Sequence, residues 1–135
     1  MTVSAALLDE MRAAFSGRTA ESGGILGMRG GVVCRFAFDG GEASKVEYLP
    51  NTDRLNAVIG EWRGEGISFC GMVHTHLGGC TALSDADIES IRAIASAVQR
   101  ECLYFPIVTF EGERLCLTVY RASDGEVLQD ELITL

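Results

Sequence analysis

The stretch Ile67–Asp87, ISFCGMVHTHLGGCTALSDAD, decides how the chain is organised. Its opening, Ile67–His76, is nearly all apolar, which predicts a strand buried on both faces of a sheet. Leu77–Leu83 follows as a loop around Gly78-Gly79. Ser84–Arg100 then carries the strongest helix signal in the chain, with Ile88, Ile91, Ala95 and Val98 recurring along one side. A buried strand feeding a helix through a short loop predicts an α/β domain.

Working outward, Leu7, Leu8, Met11 and Phe15 predict an amphipathic helix over residues 3–15. Ile25–Arg29 and Val32–Phe38 read as strands joined by the tight Gly30-Gly31 turn. Gly40-Gly41 marks another turn, and Ala43–Leu49 reads as a third strand ended by Pro50. Leu55, Val58, Ile59 and Trp62 predict a second helix, capped by Thr52 or Asp53 and closing near Gly64. Leu103–Phe110 and Arg114–Arg121 form a hairpin around Glu111-Gly112-Glu113, and Asp124-Gly125 turns into a last strand near Val127–Leu132. The expected architecture is one domain, 1–135, with a mixed β-sheet flanked by about three helices.

Composition narrows the function. The chain has 135 residues, 47% of them apolar and 22% charged, as expected of a globular domain. Eleven Lys and Arg against nineteen Asp and Glu leave a net charge of −8. Lys45 is the only lysine. Nucleic acid is therefore not an expected partner, because gripping it takes a basic face. No run of apolar residues reaches the roughly 18 needed to cross a bilayer, so no membrane role is expected. The N-terminus lacks a basic, apolar leader pattern. Cysteines stand at 34, 70, 80, 102 and 116, with no Cys-x-x-Cys pair. They read mostly as small buried hydrophobes in a reducing cytoplasm, not as a disulfide framework or zinc knuckle.

The only two histidines are His74 and His76. On a strand, residues i and i+2 share a face about 7 Å apart, close enough for both imidazoles to reach one ion. Taken alone, the pair is equally well read as two histidines without a ligand. Ser84 and Asp87 follow eight and eleven residues after His76. The Gly78-Gly79 loop can fold the helix start back onto the strand end and bring the Asp87 carboxylate to the same ion. Two His and one carboxylate leave a fourth position open for water, the arrangement of catalytic zinc. Ser-x-x-Asp before an apolar run is also a capping signature, and the two roles are compatible. A hydrolytic site needs a base, for which Glu21 in ESGGILG is a candidate, although alone it reads as a surface carboxylate. Cys80 in the loop invites a nucleophile reading, but no third histidine exists to activate it.

Together these residues resemble the JAMM metalloproteases, also called JAB or MPN domains. Their pattern is a Glu, then His-(Ser/Thr)-His, seven residues, Ser, two residues and Asp. Here it is Glu21, His74-Thr75-His76, Leu77–Leu83, Ser84 and Asp87. Leu77 departs from the Pro that many members carry after the second His, which implies an altered loop and an intact site. The resemblance implies a cytidine-deaminase-like α/β/α fold holding one zinc per chain on His74, His76 and Asp87. It implies Glu21 as the base that deprotonates the catalytic water and Ser84 as a partner of the developing oxyanion. It further implies cleavage of peptide or isopeptide bonds after the C-terminal tail of a ubiquitin-like or sulfur-carrier protein. Zinc deaminases share that fold but show His-x-Glu and Pro-Cys-x-x-Cys, and neither occurs here. Two other readings stand beside this one. Some superfamily members are metal-free scaffolds, usually with broken motifs, and a DNA-repair-associated branch carries His-Asn-His where this chain has Thr75.

Overall fold

The computed structural model describes residues 1–40 and 50–135. The strand expected at Ala43–Leu49 lies outside the described residues. Three α-helices, one 3-10 turn (Leu77–Gly79) and nine strands lie along the rest: β1 (Thr2–Val3), α1 (Ala5–Phe15), β2 (Gly23–Arg29), β3 (Val32–Asp39), α2 (Thr52–Gly64), β4 (Ser68–Thr75), α3 (Asp85–Ala97), β5 (Leu103–Tyr104), β6 (Ile107–Glu111), β7 (Arg114–Ser123), β8 (Glu126–Asp130) and β9 (Ile133–Thr134). The strands form one mixed sheet in the order β5-β7-β6-β4-β2-β3-β1-β9, with β8 beside β7. Among the described residues, no helix is long and apolar enough to cross a membrane.

Alternation along β2 separates the two faces of the sheet. Leu26 packs with Leu7, Met11 and Phe15 of α1, together with Val33, Val73, Val108 and Val119. Its neighbour Ile25 packs with Leu55 and Trp62 of α2. Ile91 of α3 joins Leu103, Phe105 and Ala122 in a third cluster, linked to the second through Phe69 and Met72. Helix α1 therefore covers one face, and α2 and α3 cover the other. Only Glu131 and Leu132 separate β8 from β9, so the two ends of the sheet meet and the sheet curls around α1.

Several boundaries differ from the sequence reading. Residues 2–3 form a short strand between β3 and β9, outside the helix, because Ser4 caps α1 by accepting a hydrogen bond from the Leu7 amide. Asn51, not Thr52 or Asp53, caps α2. Helix α3 stops at Ala97, with Val98 already extended. The strand read as Leu103–Phe110 is split at Phe105-Pro106, since Pro106 has no N–H for the ladder. Its carbonyl still accepts from the His74 amide at 3.3 Å. The last strand expected near Val127–Leu132 is β8, ending at Asp130, and a further strand, β9, follows it unforeseen; the two serve opposite ends of the sheet path.

A bulge in β4 sets the direction of the histidines. Leu26 pairs with Gly71 but Gly27 pairs with Phe69, so Cys70 is an extra residue. Phe69 and Met72 consequently share the α2/α3 face, whereas Cys70 and Val73 pack on the α1 side. With strict alternation His74 would share the face of Cys70; the bulge sends it to the α3 side. Gly71 makes the bulge at φ +153°, and a Cβ there would run into the Tyr104 carbonyl. Gly71→Ala is expected to cost about 3 kcal/mol or more, from backbone strain plus overpacking. Urea denaturation against wild type measures it, and an unchanged midpoint would show that the bulge relaxes without loss.

Candidate metal centre

His74 is the next-to-last residue of β4, opposite Gly23 on one side and Ile107 on the other. His76 lies two residues on, still extended, with its amide bonded to the Val108 carbonyl at 3.0 Å. The rings stand edge to face with centroids 4.7 Å apart. Ser84 and Asp87 form a reciprocal capping box at the start of α3. The Asp87 amide donates to Ser84 Oγ at 3.0 Å, and the Ser84 amide donates to Asp87 Oδ2 at 2.9 Å. The box holds the carboxylate against the strand end.

Three potential ligands therefore converge. His74 Nε2 and His76 Nε2 are 2.9 Å apart, His76 Nε2 is 3.1 Å from Asp87 Oδ2, and His74 Nε2 is 3.3 Å from Asp87 Oδ1. Ligands about 2.0–2.1 Å from a tetrahedral zinc stand roughly 3.3 Å from one another, so the donor set fits that ion in type and spacing. His76 Nδ1 meets the Cys80 carbonyl at 3.0 Å. In the neutral ring Nδ1 is then the donor, which leaves the Nε2 lone pair facing the other two ligands. Burial pushes the Asp87 carboxyl up, but hydrogen bonds from His74 and the Ser84 amide outweigh it and hold the group well below the usual carboxylate range. A group depressed in this way stabilises the fold above about pH 4 and loses that contribution as the pH falls.

Glu21 lines the same cleft, of about 560 Å³, as His74, His76, Ser84 and Asp87. The Thr75 amide donates to the Ser22 carbonyl at 2.9 Å, which places Glu21 across from His76. Thr75 adds a buried clamp of its own: Oγ1 accepts from the Ser22 amide at 2.9 Å and donates to the Ser22 carbonyl at 3.3 Å. All five residues singled out in the sequence thus surround one cleft. The Thr75 clamp and the Cys80 carbonyl were not foreseen. Main-chain partners leave no signature in residue identity, although the Thr at 75 was in plain view.

All five cysteines are free, and only Cys70 is fully buried, fewer than the composition suggested. Burial pushes the Cys70 thiol up to about 12, whereas Cys80 is exposed. The Cys80 thiol points to the Ala82 carbonyl at 3.9 Å, and it is the Cys80 carbonyl that meets His76. Alkylation of the native protein is expected to modify Cys80 in preference to Cys70. Peptide mapping that finds Cys70 modified as fast would contradict this packing.

The backbone compares closely with solved structures. A Desulfitobacterium hafniense protein determined in solution superposes at a TM-score of 0.72 with 21% identity, over 99% of this chain and 92% of its own. A JAB1/MPN domain protein of Archaeoglobus fulgidus superposes at 0.61 with 18% identity, over 100% and 96%. The fold is MPN-like. No protein-family model and no curated protein sequence matches the chain. Within this MPN-like fold, the His74-His76-Asp87 cluster stands where β4 gives way to α3, on the α2/α3 side of the sheet.

Proposed function

We propose that the chain is a zinc-dependent metallopeptidase of the JAMM type. It would cleave a peptide or isopeptide bond directly after the Gly-Gly tail of a ubiquitin-like or sulfur-carrier protein. The observation that carries this reading is the convergence of His74, His76 and Asp87 in a cleft that Glu21 and Ser84 also line. Zinc held by these three residues would supply a water acidic enough to be deprotonated near pH 7. Glu21 takes the proton from the attacking water and returns it to the departing amine. Ser84 Oγ already accepts from the Asp87 amide, so its own O–H can donate to the scissile carbonyl oxygen as that oxygen gains charge. An extended tail of small residues suits a cleft pressed between the start of α3 and the end of β4. Incubating zinc-loaded protein with a panel of Gly-Gly-tailed ubiquitin-like fusions tests the reading by mass spectrometry. Scission after Gly-Gly is the expected result. Equal cleavage of unrelated unfolded proteins would point to a general peptidase, and no zinc with no turnover would favour a scaffold.

Ser84 has two separable roles in this reading. Ser84→Ala is expected to cost about 1 kcal/mol of stability through the lost cap. It should also lower kcat by roughly 10²–10³ with little change in KM, because the donated bond strengthens only in the transition state. Ser84→Asp keeps a capping oxygen and puts negative charge where the oxyanion forms. It should fold, hold zinc and be nearly inactive. An active Ser84→Asp enzyme would show that the serine is a cap alone.

A further inference from the structure

We infer that Tyr120 is a positioning residue for the metal centre, acting through the Cys80-Thr81 main chain on the tautomer and orientation of His76. The inference rests on the reading of His76 as a metal ligand. The loop between His76 and Ser84 is loosely tied. It opens with a single 3-10 turn, Leu77–Gly79, in which Gly78 and Gly79 are left-handed at φ +82° and +78°, and Cys80, Thr81 and Ala82 are exposed. Among the described residues, no backbone hydrogen bond joins Leu77–Leu83 to another element. Leu83 packs against the Ile91-Leu103-Phe105 cluster at the far end, and two side chains hydrogen-bond to the carbonyls between. His76 Nδ1 meets the Cys80 carbonyl at 3.0 Å, and Tyr120 Oη donates to the next carbonyl, Thr81, at 2.7 Å.

Tyr120 is itself well anchored. It sits on β7, its carbonyl accepts from the Phe105 amide at 2.8 Å, and its ring packs against the Ile91-Leu103-Phe105 cluster. The hydroxyl is therefore a fixed point that holds the Thr81 carbonyl in the exposed middle of the loop. Without it, the Cys80 carbonyl gains freedom and Nδ1–H loses its held acceptor. A neutral imidazole can then place its proton on Nε2, the atom that faces His74 and Asp87, and a protonated Nε2 cannot ligate. Outer partners that orient a ligating histidine typically change metal affinity 10–100-fold when removed.

The test uses the full chain. Tyr120→Phe keeps the ring and should melt within a few degrees of wild type. Zinc affinity by chelator competition should fall 10–100-fold. Long-range proton–nitrogen NMR of the metal-free protein, with the imidazoles neutral, should show His76 mainly Nδ1-protonated in wild type and a mixture of tautomers in Tyr120→Phe. Unchanged affinity, or lost affinity with the tautomer unchanged, would overturn the inference. So would a wild-type His76 protonated on Nε2, a result that needs no variant to fold. The metal-site reading fails separately: His76→Ala would then bind zinc like wild type, whatever Tyr120→Phe does.

Discussion

Glu21→Gln leaves the protein folded and zinc-loaded while turnover falls about 10²–10⁴-fold, the usual contribution of a positioned general base. The amide keeps the size of the side chain and can still hydrogen-bond water, but it cannot accept a proton. Glu21 precedes β2 and is not one of the three converging ligands, so zinc content should be unaffected. Its backbone is held by the Thr75–Ser22 hydrogen bonds, which do not involve its carboxylate, so the melting temperature should barely move. Zinc content, thermal melting and single-turnover cleavage of a Gly-Gly fusion, measured on one preparation, separate binding from chemistry. Cleavage at the wild-type rate would remove Glu21 from the mechanism and leave the metal site standing.

His74→Ala, His76→Ala and Asp87→Ala should each strip the zinc and abolish activity. Three protein ligands leave none to spare, and no other group of three or more His, Cys, Asp or Glu is arranged to hold a metal among the described residues. The expected content is one zinc per wild-type chain and close to none in any of the three variants. Because the imidazoles must be neutral to ligate, wild-type affinity should fall in acid. Asp87→Ala also breaks the capping box and should lower stability by about 1 kcal/mol beyond the metal effect, whereas His74→Ala leaves the helix start intact. Full zinc occupancy in a His74→Ala/His76→Ala double variant would place the metal elsewhere.

Much of this was legible in the residues. The apolar run of β4, the glycine turn between β2 and β3 and the helical spacing of α1, α2 and α3 express local rules, and those elements form where they were expected. The His-x-His spacing brought the two rings onto one face because side chains alternate along any strand. Ser-x-x-Asp gave both the cap and the carboxylate beside them, because a capping box fixes N-cap and N3 together.

What sequence left open was long-range. Spacing put His74 and His76 together but could not say which face of the sheet they take. That depends on the extra residue at Cys70 in β4, a bulge made where Gly71 passes close to Tyr104, on a strand more than thirty residues further along. Nor could the sequence bring Glu21 across from His76, because that register comes from antiparallel pairing of β2 with β4, with β3 and α2 between them in the chain. The partners of His76 Nδ1 and of the loop are main-chain carbonyls, available in principle from any residue. Sequence determined which side chains this protein has that could hold a metal. Pairing between distant strands, which follows from packing the whole core at once, determined that they face one cleft.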